Sequence, residues 1–543
     1  MHSEPALREA ERPDNPQAVR SWHRARWRGI DIGWVDNIGY NWQVSVHHTL
    51  IRTTEKFMSS QLALLTDLYQ LSMACGYWHT QVADHEAVFH LTFRRAPFDG
   101  AYAVAAGLSQ ALAYLHDLRF DESDCAYLAT LLGNDGKPMF AAGFLEYLRQ
   151  LQFHCTVDAV PDGRVVFPHQ PLLRVRGPII AAQLVETALL TAMNFHTLIA
   201  TKASRVVQAA RGAPVLEFGL RRAQGFDGGL SASRAAYLGG CAATSNVLAG
   251  KTYGIPVRGT HAHSWVMFHG DELASFRAYA AALPSNCTFL VDTYDTIQGV
   301  RHAITVGHEL RAKGYELAGI RLDSGDLAYL SQQARAMLDE AGFPNAKVVA
   351  SNDLDEHIIT SLLEQGARID TFGVGTKLVT AYDQPALGGV YKLGAVRESG
   401  QPWRYAVKLS EQPIKISNPG QLAIRRLWHG DAMVGDVIFD QDAGCGTTAV
   451  GLETDRALVV PAATHCEDIM VRVMTDGALT AAAADATNLV QARARAVADL
   501  QALSPRHRRF VNPEPYWVGL DQTPADTKRR LVAEAHTRKG NPT

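Results

Sequence analysis

Between about residues 180 and 380, short apolar runs alternate with longer amphipathic stretches, and this alternation limits the fold more than any other feature of the 543-residue chain. The runs 215–218, 255–257, 288–291, 319–322, 347–350 and 371–373 have the length and composition of buried strands. Helical spacing of apolar residues fills 296–313 and 326–341 between them. Repeated strand and helix units pack as a parallel sheet covered by helices, because each crossover must return the chain to the same end of the sheet. The predicted class is therefore α/β, with an irregular parallel α/β barrel over residues 181–384. Nearly every strand run ends in polar or glycine residues, where such folds keep their chemistry.

The flanks read differently. From 62 to 78 the apolar positions recur at helical spacing, with Thr66-Asp67 as the cap region and Tyr69 on the helix. Residues 87–94 and 155–176 alternate apolar and polar, with Pro161-Asp162-Gly163 as a turn. They predict a smaller β-rich domain over 58–180, completed by about 385–440 once the chain has left and returned. The C-terminal region, 441–543, holds strands over 458–476, a helix over 486–501 and a last helix from 521. Residues 1–57 contain Trp22, Trp27, Trp34 and Trp42 among charged residues, with no sustained period. Two readings stand for them: an extension upstream of a true start at Met58, or a native but disordered arm.

Composition narrows the function. Apolar residues make up 47% and charged residues 20% of the chain, as in a soluble globular protein. A net charge of −3 gives no general attraction for nucleic acid, so an anion site must be local. The seven cysteines are scattered without a paired spacing, which fits reduced thiols in a cytoplasm and argues against a zinc site. No apolar run approaches the roughly 20 residues that cross a bilayer.

The chemistry-bearing residues cluster after the strand runs. Glu217-Phe218-Gly219-Leu220-Arg221-Arg222 delivers two guanidinium groups, whose planar donors suit phosphate and carboxylate oxygens. Gly259-Thr260-His261-Ala262-His263 places two imidazoles on one face of an extended segment. Arg321-Leu322-Asp323-Ser324-Gly325-Asp326 packs a cation, two carboxylates and a glycine turn together, with Asp326 favoured as the cap of the next helix. Phe372-Gly373-Val374-Gly375-Thr376 is a glycine turn at a strand end, a candidate anion cradle. These stretches, with Leu64 to Leu71, Ser245 to Gly250, Asp292-Thr293-Tyr294-Asp295-Thr296, Ser351 to Leu354 and Leu387 to Lys392, form an ordered series that resembles the nicotinate phosphoribosyltransferases.

The resemblance implies an enzyme of NAD biosynthesis that makes nicotinate mononucleotide and pyrophosphate from nicotinate and phosphoribosyl pyrophosphate, coupled to ATP hydrolysis. ATP is then a co-substrate, Mg2+ a cofactor, and the protein a homodimer with shared sites. It implies that His263 accepts the γ-phosphate of ATP as a phosphohistidine, which suits an imidazole that is neutral and nucleophilic near pH 7. A carboxylate commonly orients such a ring; Asp292 is the candidate and Glu217 the alternative, while phosphoribosyl hydroxyls are a second role open to Asp292. Tyr69 and Phe218 are expected to sandwich the pyridine, with Thr260 and Arg321 at the nicotinate and Arg221 near its carboxylate or the 5-phosphate. Arg222, Asp323, Gly373, Gly375 and Thr376 are expected at phosphoribosyl pyrophosphate. Lys377 stands where many relatives have serine, to strengthen phosphate binding or to point to solvent. Ser245 and Asn246 stand where nicotinamide-using relatives carry an aspartate, so the acid is the expected substrate. The alternatives are a nicotinamide phosphoribosyltransferase and a catalytically inactive nucleotide-binding barrel.

Overall fold

The computed structural model describes residues 62–412, 415–452 and 456–540. The segment 1–57 and the expected start at Met58 lie outside the described residues. Six parallel strands form the central sheet, in the order Ala243–Thr244, Val215–Glu217, Thr371–Val374, Lys347–Ala350, Gly319–Leu322, Thr288–Leu290. Helices such as Thr296–Ala312, Leu327–Glu340 and Glu356–Glu364 cross between them. The class is mixed α/β with a parallel sheet.

The barrel expectation is corrected in one respect. Among the described residues the hydrogen-bonded ladder does not close, because Ala243–Thr244 and Thr288–Leu290 remain at opposite edges. The run 255–257, expected as a strand, makes a single bridge, Val257 beside Thr244. Pro256 has no amide to donate, so the run cannot sustain a ladder on both sides.

Each of these three crossover helices begins on an aspartate that accepts an orphan amide of the first turn. Asp295 takes the N–H of Gln298 at 2.7 Å, Asp326 that of Tyr329 at 3.0 Å, and Asp355 those of His357 and Ile358 at 3.0 and 2.8 Å. The helix Leu68–His79 also starts at Asp67, but there the carboxylate accepts from the Thr187 hydroxyl at 2.8 Å and does not cap. Because the strands are parallel, Phe218, Asp292, Asp323, Ser351 and Gly375, which follow or close their C-terminal ends, lie at one end of the sheet.

Two further sheets accompany it, the first antiparallel and the second mixed, with Ala432–Asp440 parallel to Val518–Asp521. In the first, Glu86–Phe93 pairs with Leu173–Pro178 on one side and with Gly389–Arg397, returning from far along the chain, on the other. In the second, Leu422–His429 pairs with Ala432–Asp440 and His465–Asp468. His90 joins the two systems: at 3% exposure, its Nε2 accepts the amide hydrogen of Leu422 at 3.0 Å. Arg426, fully buried, ties Asp436, Asp499 and the Val165 carbonyl together, which supplies the partners a buried guanidinium requires.

Burial, helped by the Arg174 charge, pushes the pKa of His90 down to about 3. Burial likewise lowers His196 and His261 to about 4. These values lie below the ordinary histidine value near 6.5, so between about pH 6.5 and 4 the unfolded chain binds protons that the folded chain refuses. Stability is therefore complete above pH 6.5 and is lost as the pH falls, by about 1.4 kcal/mol per pH unit for each histidine. Urea unfolding at pH 7 and pH 5 is expected to show this loss, and His90→Gln is expected to remove about a third of the slope.

Candidate active site

Arg321 is the hub of the strand-end cluster. Its Nε donates to Ser351 Oγ at 2.8 Å, Nη1 to Thr260 Oγ1 at 3.1 Å, and Nη2 to Asp323 Oδ1 at 2.9 Å. One planar guanidinium thus joins three elements, the loop holding the histidines and the ends of two strands. A guanidinium carries five N–H donors, so two remain for a ligand. The group also lies 5.5 Å from the centre of the Phe218 ring. Asp323 is a lowered acid: burial alone would raise its pKa, but the Ser351 hydroxyl and the Arg321 charge overcome that and keep it ionised.

His263 opens the short helix His263–His269 at the mouth of the cluster, with its side chain 40% exposed. Nδ1 lies 3.1 Å from the Thr293 hydroxyl. Nε2 faces two carboxylates, Asp292 Oδ1 at 3.9 Å and Asp323 Oδ2 at 3.8 Å. The orienting role expected of Asp292 is thereby modified: a carboxylate does flank the ring, but beyond hydrogen-bond length, and the group bonded to the other nitrogen is Thr293. Asp292 is held from behind, Oδ2 accepting from the Asp323 amide at 2.9 Å and the Ser324 hydroxyl at 2.6 Å. Its side chain is 1% exposed and Oδ1 has no hydrogen-bond partner, so one buried carboxylate oxygen is left directed at the imidazole.

Glu217, the alternative orienting group, is excluded by its own contacts. It is 1% exposed and accepts from the Gly219 amide, from Ser233 Oγ at 2.9 Å and from Thr244 Oγ1 at 2.5 Å. The same network takes Asn246, whose amide group donates to Ser233 Oγ at 3.2 Å while its carbonyl caps the helix Val247–Tyr253. Thr244 and Asn246 therefore shape the wall from behind, and of that trio only Ser245 is left half-buried.

Phe218 lies against the glycine turn. A side chain at Gly373 would put its Cβ 2.6 Å from Cδ2 of that ring, so only glycine lets the aromatic settle beside Ser351. Gly375 and Thr376 follow at the start of Thr376–Val379. Arg221 and Arg222 sit in the turn Leu220–Arg222, both exposed, beyond the strand end that carries Phe218. Lys377 is half-buried and engaged in an ion pair: its Nζ pairs with Asp355 Oδ2 at 2.6 Å, joining the turn to the preceding helix. Because solvent reaches the lysine, Lys377→Ser is expected to cost about 1 kcal/mol in unfolding free energy. Its KM for a phosphorylated substrate is expected to stay within about twofold, and a larger rise would return the lysine to the binding site.

The structure thus gathers His263, Asp292, Asp323, Arg321, Thr260 and Phe218 into one cluster, with Gly373 beneath the aromatic. It does not bring Tyr69 there. That residue is 48% exposed on Leu68–His79, beside Leu65, Leu68 and Met73, which are also exposed. Two participants were given no role of their own in the sequence reading, Thr293 and Ser351. Each is a hydroxyl that follows a strand run by one or two residues, the signal that would have found it. Among the described residues no group of three or more His, Cys, Asp or Glu side chains is arranged to hold a metal by itself.

Comparison with known proteins places the chain. Residues 64–194 match the nicotinate phosphoribosyltransferase (NAPRTase) N-terminal domain, 214–404 the NAPRTase family and 430–528 the NAPRTase C-terminal domain. The chain is 48% identical to a nicotinate phosphoribosyltransferase of Bacillus subtilis over 372 residues, covering 68% of this chain and 74% of that one. It is 37% identical to the Homo sapiens protein of the same name over 525 residues, covering 84% and 94% respectively. The crystal structure of human nicotinic acid phosphoribosyltransferase superimposes with a TM-score of 0.74 at 32% identity, over 86% of this chain and 99% of that one. A nicotinate-nucleotide pyrophosphorylase from Pyrococcus furiosus shares the fold at a TM-score of 0.59 and 20% identity, over 81% of this chain and 95% of that one. With all three domains matched and relatives of that name covering most of its length, this chain belongs to the nicotinate phosphoribosyltransferase family.

Proposed function

We propose that this chain is an enzyme of NAD biosynthesis that joins nicotinate to phosphoribosyl pyrophosphate, giving nicotinate mononucleotide and pyrophosphate. The observation that carries the reading is the convergence of Arg321, Asp323, His263 and Phe218 at the strand ends of a chain belonging to this family. Nicotinate lies on the Phe218 ring with its carboxylate toward the two free N–H groups of Arg321, a charge-assisted arrangement. The pyridine nitrogen attacks the anomeric carbon as its bond to pyrophosphate breaks. Exposed Arg221 and Arg222 and the amides around Gly375 and Thr376 receive the phosphates, while Asp323 faces the ribose. The sheet is read as an irregular barrel with one open side.

ATP coupling belongs to the same reading. Two carboxylates beside Nε2 hold the proton there and leave the Nδ1 lone pair for the γ-phosphorus; the N–P bond forms as the bond to ADP breaks, and Asp292 and Asp323 stabilise the resulting cation. Asp292 Oδ1, which has no hydrogen-bond partner, and Asp323 Oδ2 would hold Mg2+, an ion that takes one or two carboxylates together with phosphate oxygens. When bound, it neutralises phosphate charge. A homodimer would supply the second aromatic, Tyr69, from another copy.

Turnover of nicotinate and nicotinamide with phosphoribosyl pyrophosphate, followed by mononucleotide and pyrophosphate formation, tests the main claim. The acid is expected to react at least about tenfold faster in kcat/KM, in line with an arginine that pairs with its carboxylate. Preference for the amide, or no product from either, overturns it. Incubation with γ-labelled ATP tests the coupling, with acid-labile, base-stable label expected on His263.

A further inference from the structure

We propose that His261, two residues before the phosphoryl acceptor, is a positioning residue that holds the His263 loop by bridging the open side of the parallel sheet with its imidazole. The inference rests on the role given to His263 above. It begins with hydrogen-bond accounting at the sheet edge. In the edge strand Thr288–Leu290, alternate amides point toward the neighbouring strand Gly319–Leu322, and Val291 N–H donates to the Arg321 carbonyl at 3.2 Å. Leu290 lies between them, so its N–H points outward, where no strand follows. Leu290 is 1% exposed, and a buried amide without an acceptor is costly. The acceptor is His261 Nε2, at 3.2 Å.

The other side of the same segment is held by backbone. Arg258 N–H donates to the Thr244 carbonyl at 3.0 Å, and Thr244 N–H to the Pro256 carbonyl at 3.0 Å. The stretch 256–261 therefore spans the gap between the two sheet edges, bonded to one by main chain and to the other through a single ring. That ring is clamped, with its centroid 5.8 Å from Phe276, 5.1 Å from Tyr279 and 6.2 Å from Phe289. Burial keeps it neutral, the form in which Nε2 accepts. On either side of it stand Thr260, whose hydroxyl receives Arg321, and His263, which faces Asp292 and Asp323. A shift of about 1 Å in this loop misplaces both, and such misplacement is costly to a reaction that depends on alignment.

The test compares His261→Leu, which keeps apolar bulk without an acceptor, with His261→Gln, whose side-chain oxygen can take the Leu290 amide. His261→Met replaces the leucine variant if that one does not fold. Hydrogen exchange in the full-length chain is expected to speed up about tenfold at Leu290 in the leucine variant and to return near the parent rate in the glutamine variant. In the leucine variant kcat for mononucleotide formation is expected to fall about tenfold, with KM for nicotinate changed less than about threefold, and glutamine is expected to recover most of the loss. Unchanged kcat in the leucine variant overturns the proposal, and so does a glutamine variant as impaired as the leucine one, because then bulk and not the acceptor matters. Absence of phosphoryl label on His263 in the parent protein sinks the coupling reading instead, while exchange at Leu290 still reads the contact.

Discussion

Arg321→Lys is expected to lower kcat/KM for mononucleotide formation by about a hundred- to a thousandfold while leaving the chain folded. Lysine preserves the charge but offers a point instead of a fork. It can satisfy one of Ser351, Thr260 and Asp323, whereas Arg321 satisfies all three at 2.8, 3.1 and 2.9 Å. Losing two such bonds, one to a carboxylate, removes about 3 to 4 kcal/mol from the aligned state, and each 1.4 kcal/mol is about a factor of ten. The loss falls on KM for nicotinate as well as on kcat, because the cation beside the Phe218 ring is the group placed to meet a carboxylate. Steady-state kinetics with melting as a control reads both. A change below about threefold would remove Arg321 from the site.

How far the sequence reaches is visible in the same residues. Strand and helix alternation gave the parallel sheet closely, since 319–322 and 347–350 are strands of those limits. Local patterns of that kind depend on neighbours along the chain. The open side was not visible, because it depends on one proline within an otherwise suitable run and on an imidazole acting where a strand would lie. Glu217 shows the same limit at the site. Beside two arginines its carboxylate reads as functional, yet Ser233 and Thr244, brought over by a helix and a strand, turn it into a buried support. Lys377 likewise looked free until Asp355 was placed against it by the preceding helix cap. Chemistry at a strand end is legible when the partner lies within a few residues, as for Arg321 and Asp323. It is hidden when the partner arrives from another crossover, as Thr293 does for His263 across 30 positions.

His263→Ala is expected to abolish acid-labile phosphoryl label and to reduce ATP hydrolysis by about a thousandfold or more, since the nucleophile itself is removed. On the proposed mechanism, mononucleotide formation without ATP at saturating phosphoribosyl pyrophosphate falls much less, because Arg321, Asp323 and Phe218 keep their mutual contacts without the imidazole. The contrast separates a phosphoryl acceptor from a histidine that only lines the site: the latter would lower both rates together. Thr293→Val sharpens the assignment. It removes one neutral hydrogen bond at Nδ1, worth about 1 kcal/mol, that the incoming phosphoryl group must displace, so phosphorylation should change by less than about fivefold with the carboxylates near Nε2 untouched. Asp292→Asn acts from the opposite side of the ring, keeping the oxygen that accepts from Asp323 and Ser324 while removing the charge that steadies the phosphorylated cation. It should therefore weaken phosphorylation far more than the threonine change does. If the two substitutions proved equal, the buried Asp292 oxygen facing the imidazole would be serving the fold and not the phosphoryl transfer.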